Sequence, residues 1–193
     1  YGLNEKLVET INLNYEDAAA QLKAGRIDAM FITAGAPSAV VTALAEDCGI
    51  RQIALENHGM QLVYNPETLF RLREAVGPLV GMNLDPSHLF WMGGDPIEAA
   101  RVLGEQGALY HVHGKDSRPE RRMAGPNGLL DTKPIDQFRT RSWNYVAVGC
   151  GHGAQWWKEF FSVVRMSGYN DEISLEMEDL TLSMLDGLSL IHI

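Results

Sequence analysis

Apolar and polar positions alternate in short bursts along this chain, each bounded by turn-forming residues. Residues 8–13 form a first apolar run and predict a strand. Asn14 then caps a helix over residues 15–24, rich in Ala, Gln and Leu, with Gly25 just past its end. Residues 26–33 return as a strand around Ile27, Phe31 and Ile32, and after the turn at Gly35-Ala36-Pro37-Ser38 a second helix runs to about Asp47. From Ile50 the beat lengthens. Strands are predicted at 53–55, 80–84, 108–112 and 173–175, and helices at 66–76 (opened by Asn65 and Pro66), 96–103 and 155–166. Between about Lys115 and Gly151, Pro119, Gly125, Pro126, Gly128 and Pro134 predict a long irregular stretch, which in a compact domain serves as a lid or binding loop. The repeated βα units predict an α/β fold with a parallel sheet and helices packed outside it. The apolar positions Leu69, Leu72 and Val76 are expected to stay partly wet if that sheet is incomplete.

Composition narrows the classes of partner. The 193 residues are 46% hydrophobic and 21% charged, which is globular composition. A formal charge of -9 and the absence of a basic stripe exclude a phosphate-tracking nucleic-acid surface. The longest uncharged stretch is too short and too broken by Gly35, Pro37 and Ser38 to predict a membrane span. Cys48 and Cys150 alone make neither a disulfide framework nor a zinc cluster. The start at Tyr1, without an initiator Met or an apolar leader, reads as a processed chain or a fragment.

One constellation carries chemistry. The four later strands each end in a metal-ligating residue: Glu56, Asp85, His113 and Glu176. The separations are 29 residues from Glu56 to Asp85, 28 from Asp85 to His113 and 63 from His113 to Glu176. The first two match a βα unit of roughly 30 residues, and the third holds the long loop. Functional groups of parallel α/β folds gather at the carboxyl ends of strands. A lone Glu or His there is usually a solvated rim residue; four at equivalent positions point to one shared site. Three carboxylates and an imidazole suit a divalent cation such as Mn2+ or Mg2+ more than a soft-metal site, with Co2+ and Zn2+ also in the candidate set. His88 follows Asp85 by three residues and faces the same mouth, and strand alternation puts His111 and His113 on one side. Lys115 and Arg118 add positive charge where a sugar hydroxyl or phosphate could dock; the plainer reading makes Lys115, Asp116 and Arg118 a surface ion cluster.

These residues sit in segments that resemble a known family. Ala54-Leu55-Glu56-Asn57-His58, Asn83-Leu84-Asp85-Pro86-Ser87-His88, Tyr110-His111-Val112-His113, Leu130-Asp131-Thr132-Lys133-Pro134 and Ser174-Leu175-Glu176-Met177-Glu178-Asp179 are similar to the C-terminal half of the sugar phosphate isomerase/epimerase family, the xylose-isomerase-like TIM barrels. The resemblance covers residues from about 50 to 180. It implies a partial (β/α)8 barrel whose strands at 53–55, 80–84, 108–112 and 173–175 are the last four of eight. It implies a cation held by Glu56, Asp85, His113 and Glu176, proton shuttling by Glu56 and Glu176, and substrate contacts from His88, Arg118 and His58. The chain departs from the family pattern at Met177, where His is frequent, and at Glu172, where Gly is usual; the second change bears on the approach to the final strand and on where Glu176 lands.

Residues 1–50 resemble something else. Leu22-Lys23-Ala24-Gly25-Arg26-Ile27-Asp28-Ala29 and Thr33-Ala34-Gly35-Ala36-Pro37 are similar to TAXI-type solute-binding proteins of TRAP transporters. Leu188-Ser189-Leu190-Ile191-His192-Ile193 reads as a translated sequencing adaptor, which makes 188–193 an artefactual tail. The expectation is a chimeric reading frame with two βα units at 1–50 and a half barrel at 51–187. Its leading function is a metal-dependent isomerase or epimerase of a sugar or sugar phosphate, acting in the cytoplasm. The alternatives are a fragment of a periplasmic solute-binding protein and an inactive truncated chain, the open barrel edges of which would self-associate.

Overall fold

A computed structural model describes residues 11–27 and 52–189 of the chain, which divides into two compact units, Tyr1–Arg51 and Gln52–Ile193. In the first unit helix α1 (Tyr15–Lys23) starts where expected, with the Asn14 side chain accepting from the Asp17 N–H at 2.8 Å. Residues 11–13 carry no regular structure, so the strand expected over 8–13 does not reach them. Residues 26 and 27 are likewise outside any strand, and the remainder of the strand expected over 26–33 and the helix over 38–47 lie outside the described residues.

The second unit holds the βα alternation. In chain order it runs β1 (Ile53–Glu56), α2 (Pro66–Val76), β2 (Val80–Leu84), α3 (Pro86–Met92), α4 (Pro96–Glu105), β3 (Leu109–Gly114), β4 (Asp116–Pro119), α5 (Arg121–Asn127), β5 (Trp143–Val146), α6 (Ala154–Met166), β6 (Ile173–Leu175) and α7 (Met184–Ser189). Among the described residues, strands β1, β2, β3 and β6 form one parallel sheet in that order, a partial barrel without closure. Helices α2, α3 and α4 each begin on a Pro after a capping Asn or Asp: Asn65, Asp85 and Asp95 all accept from backbone N–H groups in the first turn.

Two faces of the sheet divide the labour. Val80, Met82, Leu84 and Val112 turn to the helix layer and join a core with Leu69, Ala100, Leu103, Trp157, Phe160, Val163 and Val164. Full burial of such side chains stabilises by roughly 1.5–3 kcal/mol each. Leu72 is half-buried and Val76 exposed, as expected of partly wet positions, whereas Leu69 is wholly buried. On the other face, strand pairing sets Glu56, Asn83 and His111 in one row. Asp85, His113 and Ser174 follow in the next, toward the carboxyl ends. The β2–β3 register shifts between Met82 and Asn83: Met82 is opposite Leu109 but Asn83 is opposite His111, so Tyr110 is an extra residue. Gly81 leaves the room that the Tyr110 ring fills, a Cβ there falling 2.2 Å from it.

The stretch from 115 to 151 is more ordered than its composition suggests. Strands β4 and β5 pair antiparallel, from Asp116 opposite Val146 to Pro119 opposite Trp143, with α5 and a 3-10 turn at Ile135–Gln137 between them. Ser117 donates to the Ser87 carbonyl at 2.8 Å, and this ties the ribbon to α3. Helix α3 has no counterpart among the elements that the sequence pattern predicts. The Glu172 departure does not prevent β6: the Tyr169 hydroxyl donates to the Glu172 carbonyl, and β6 pairs with β3 from Val112 opposite Ile173 onward. No helix among the described residues is long and apolar enough to cross a membrane.

Helices α4 and α6 meet at Gly104, where an added Cβ would lie 2.5 Å from the Ser167 Cβ and 2.6 Å from its carbonyl oxygen. Backbone cannot yield as a side-chain tip can. Gly104→Ala is expected to lower the unfolding free energy by about 1–3 kcal/mol despite the better helix propensity of Ala. Urea titration checks this; an unchanged or raised midpoint would show that the two helices are not in this contact.

Candidate metal centre

The four strand-end residues come together. Glu56, Asp85, His113 and Glu176 each offer one ligand atom, and these atoms lie within 4.8 Å of one another. Two ligands of one cation cannot stand further apart than twice the bond length, about 4–5 Å for bonds of 2.0–2.6 Å, so the cluster has the right span.

Local structure aims each donor. Asn57 bridges the ends of β1 and β2, accepting from the Asp85 N–H at 2.7 Å and donating to the Asp85 carbonyl at 2.9 Å. Asp85 caps α3 with Oδ1, which accepts from the Ser87 N–H at 2.8 Å. That leaves Oδ2 facing the cluster, buried and without a hydrogen bond. The His113 ring points Nδ1 at the carboxylates, 3.4 Å from Glu176 Oε1, 3.5 Å from Asp85 Oδ2 and 3.6 Å from Glu56 Oε1. Its Nδ1 is also buried without a hydrogen bond. Buried polar atoms are rarely left this way unless something else completes them, and an inward-facing carboxylate oxygen and imidazole nitrogen suit a cation.

The other expected contacts are distributed unevenly. His88 is wholly buried, its Nε2 3.3 Å from Glu56 Oε1 and 3.4 Å from Asp85 Oδ2, with Nδ1 3.3 Å from the Tyr145 hydroxyl. His58 is half-buried against it, ring centroids 4.1 Å apart, and its Nδ1 donates to the Gly59 carbonyl. Arg118 is not brought in: its guanidinium pairs with Glu120 at 2.8 Å on the exposed side of β4.

Lys115 and Asp116 are not a surface ion cluster. The Lys115 side chain is 5% exposed; its Nζ donates to Glu176 Oε2 and lies 2.7 Å from Glu178 Oε2, above the Tyr145 ring. Asp116 is wholly buried and accepts from the backbone N–H groups of Gly149, Gly151 and His152 and from the His152 ring. It is the anchor of the 149–152 loop. Gly151 is required there, because a Cβ would stand 2.5 Å from Asp116 Oδ1. The sequence signal for both was the run from His111 to Asp116, which enters β4 at once and so stays inside.

The charges respond to one another. Burial opposes the imidazolium of His113, but the nearby carboxylates of Asp85, Glu56 and Glu176 outweigh it and lift the ring to about 9. Burial would raise the Glu56 carboxyl; the imidazoles of His113 and His88 beside it override that and hold it well below the ordinary range. Burial disfavours the Lys115 ammonium too, yet Asp85, Glu176 and Glu178 keep it above its usual value.

These directions set a pH window. The raised His113 contributes stability that is complete below 6.5 and is lost as pH rises through about 9; the depressed Glu56 contributes stability present above about 4.5 and lost in acid. Metal-free protein in chelator is therefore expected to lose at most about 3 kcal/mol between pH 6.5 and 9.5 through His113. Urea midpoints across that range test it. His113→Gln should flatten the alkaline limb, and an equally steep limb in that variant would remove His113 as its source.

Comparison with known proteins gives the family. The sequence profile described as xylose isomerase-like TIM barrel matches residues 38–191, beginning before the boundary expected near residue 50; the expected likeness of 1–50 to solute-binding proteins is not shown. The Bacillus subtilis (strain 168) protein YfiH, described as uncharacterized, is 67% identical over 144 residues. That match takes in 75% of this chain and 45% of YfiH, so the chain spans less than half of that relative's length. A crystal structure of the probable 3-DHS dehydratase AsbF from Bacillus anthracis, described as involved in petrobactin synthesis, superposes with a TM-score of 0.46. Its identity is 19%, over 72% of this chain and 48% of that one. With four fifths of its length inside that profile and its strand-end donors gathered at one mouth, the chain belongs to the xylose isomerase-like TIM barrel family.

Proposed function

We propose that this chain carries the metal-binding and proton-transfer end of an isomerase or epimerase acting on a sugar or sugar phosphate. The observation behind the reading is the convergence of Glu56, Asp85, His113 and Glu176 at the carboxyl end of one parallel sheet. These four would hold a divalent cation, and the oxygen-rich set favours Mn2+ or Mg2+ over softer ions, with Co2+ and Zn2+ within reach of the same donors. When bound, such an ion supplies a Lewis acid that polarises a substrate carbonyl and acidifies the neighbouring C–H.

The chain's own residues would move the proton. Sheet order puts Glu56 and Glu176 on the two outer strands with Asp85 and His113 between them, so two carboxylates flank whatever sits at the mouth. One on each side is what epimerisation needs, since a proton leaves one face of a carbon and returns to the other. The same abstraction serves aldose–ketose isomerisation. The two are not equivalent. Glu176 has Oε2 held by Lys115, whereas the ion-pair partners of Glu56 among the described residues are imidazoles. His58, half-buried beside the cluster, and His88 behind it are the substrate-facing imidazoles of this reading, and Arg118 would join them only if its Glu120 pair opened. A sugar phosphate would place the activity in the cytoplasm. In the same reading residues 51–187 are the C-terminal half of a barrel, and 1–50 are a βα piece of other origin.

Deuterium uptake from D2O at carbon next to a carbonyl, measured over a panel of ketoses and their phosphates with Mn2+ present, is the direct test. Glu176→Gln is expected to slow exchange by about 10²–10⁴-fold and to weaken metal binding. Unaltered exchange with unaltered affinity would take Glu176 out of both roles. Metal-loaded protein that exchanges no substrate in the panel would overturn the proton-transfer reading.

A further inference from the structure

Behind the metal-facing side of His113 stands Asn83, with its amide Nδ2 placed 2.8 Å from the ring Nε2 and its Oδ1 buried without a hydrogen bond. Asn83 lies on β2 opposite Glu56 and His111, one row behind Asp85, on the same face of the sheet as His113. A half-turn about its last torsion exchanges Oδ1 and Nδ2 without changing the shape of the side chain. The two orientations have opposite consequences. With Nδ2 donating to Nε2, the ring hydrogen must sit on Nδ1, where it points at three carboxylates and leaves no lone pair for a cation. With Oδ1 accepting from Nε2–H, the Nδ1 lone pair faces Glu56, Asp85 and Glu176.

We propose that Asn83 is a positioning residue that accepts the Nε2 hydrogen of His113 through Oδ1 and thereby fixes the ring tautomer in which Nδ1 binds the cation. This rests on the metal-centre reading and adds to it the residue that makes His113 a competent ligand. Asn83 and Asp85, two residues apart in sequence, then act on the same ion in different ways. Asp85 supplies an oxygen, and Asn83 orients the nitrogen contributed by the next strand. Remote acceptors of this kind typically govern affinity by about 10–100-fold.

The test compares wild type, Asn83→Leu and Asn83→Asp in the full chain, titrated with Zn2+ by calorimetry. Asn83→Leu keeps the shape and removes the acceptor, and is expected to weaken binding about 10–100-fold. Asn83→Asp keeps an acceptor and loses the donor, and is expected to bind within a few-fold of wild type or more tightly. Nitrogen-15 NMR of Zn2+-loaded wild type should show the His113 proton on Nε2; this stands even if the Leu variant fails to fold. Equal affinity in all three proteins, an Asp variant as weak as Leu, or a proton on Nδ1 would overturn the inference and leave the metal centre standing. Wild type that takes up neither Zn2+ nor Mn2+ would overturn the metal centre and this inference with it.

Discussion

Four carboxylates crowded at the end of one sheet repel each other, and the rest of this site is arranged around that fact. Glu56, Asp85, Glu176 and Glu178 stand within reach of a single ammonium and a pair of imidazoles. Lys115 is drawn inside to meet them, against the desolvation that would otherwise keep a lysine at the surface. His113 takes up a proton for the same reason. A divalent cation would be the larger counter-charge, and where it entered, the proton on His113 would leave, because a metal and a hydrogen cannot share Nδ1. Binding and proton release are in this sense two views of one electrostatic balance.

Much of that balance was legible in the sequence. Strands announce themselves as short β-branched or apolar runs, and each ends in Glu, Asp or His. The nearly constant beat from Glu56 to Asp85 to His113 matches those ligands to equivalent positions by spacing alone. Capped helix starts at Asn14 and at Asn65 were equally local signals. What escaped was set by partners distant in sequence. Strand β4 has its partner in β5, more than twenty residues on across a segment full of Gly and Pro, and no local pattern distinguishes that from a loop. Helix α3 is a single short piece capped by Asp85, a residue already spoken for as a ligand. For Lys115 the docking and surface readings stayed side by side in the sequence, because lysines are mostly exposed; only the chain's turn from β3 straight into β4 carries it inward. Asn83 gave no signal, since nothing local says that a strand asparagine sits beneath a neighbouring strand's histidine.

The bulge at Tyr110 shows how the two faces of the sheet are reconciled. Regular alternation from Leu109 would hold only if β3 paired with β2 throughout in one register, and it does not. The extra residue lets Leu109 remain with the core beside Met82 while His111 and His113 align with Asn83 and Asp85. Packing on one side and chemistry on the other are thus phased separately within a six-residue strand.

The buried ammonium of Lys115 has one more consequence. Open-chain sugars carry an aldehyde or ketone that condenses with a free amine to an imine, and only the unprotonated amine has the lone pair to do so. Tied to two carboxylates and held in its charged form, Lys115 has none to offer. In the proposed reaction a lysine so held would stand beside a substrate carbonyl without condensing with it, where an exposed amine would become glycated.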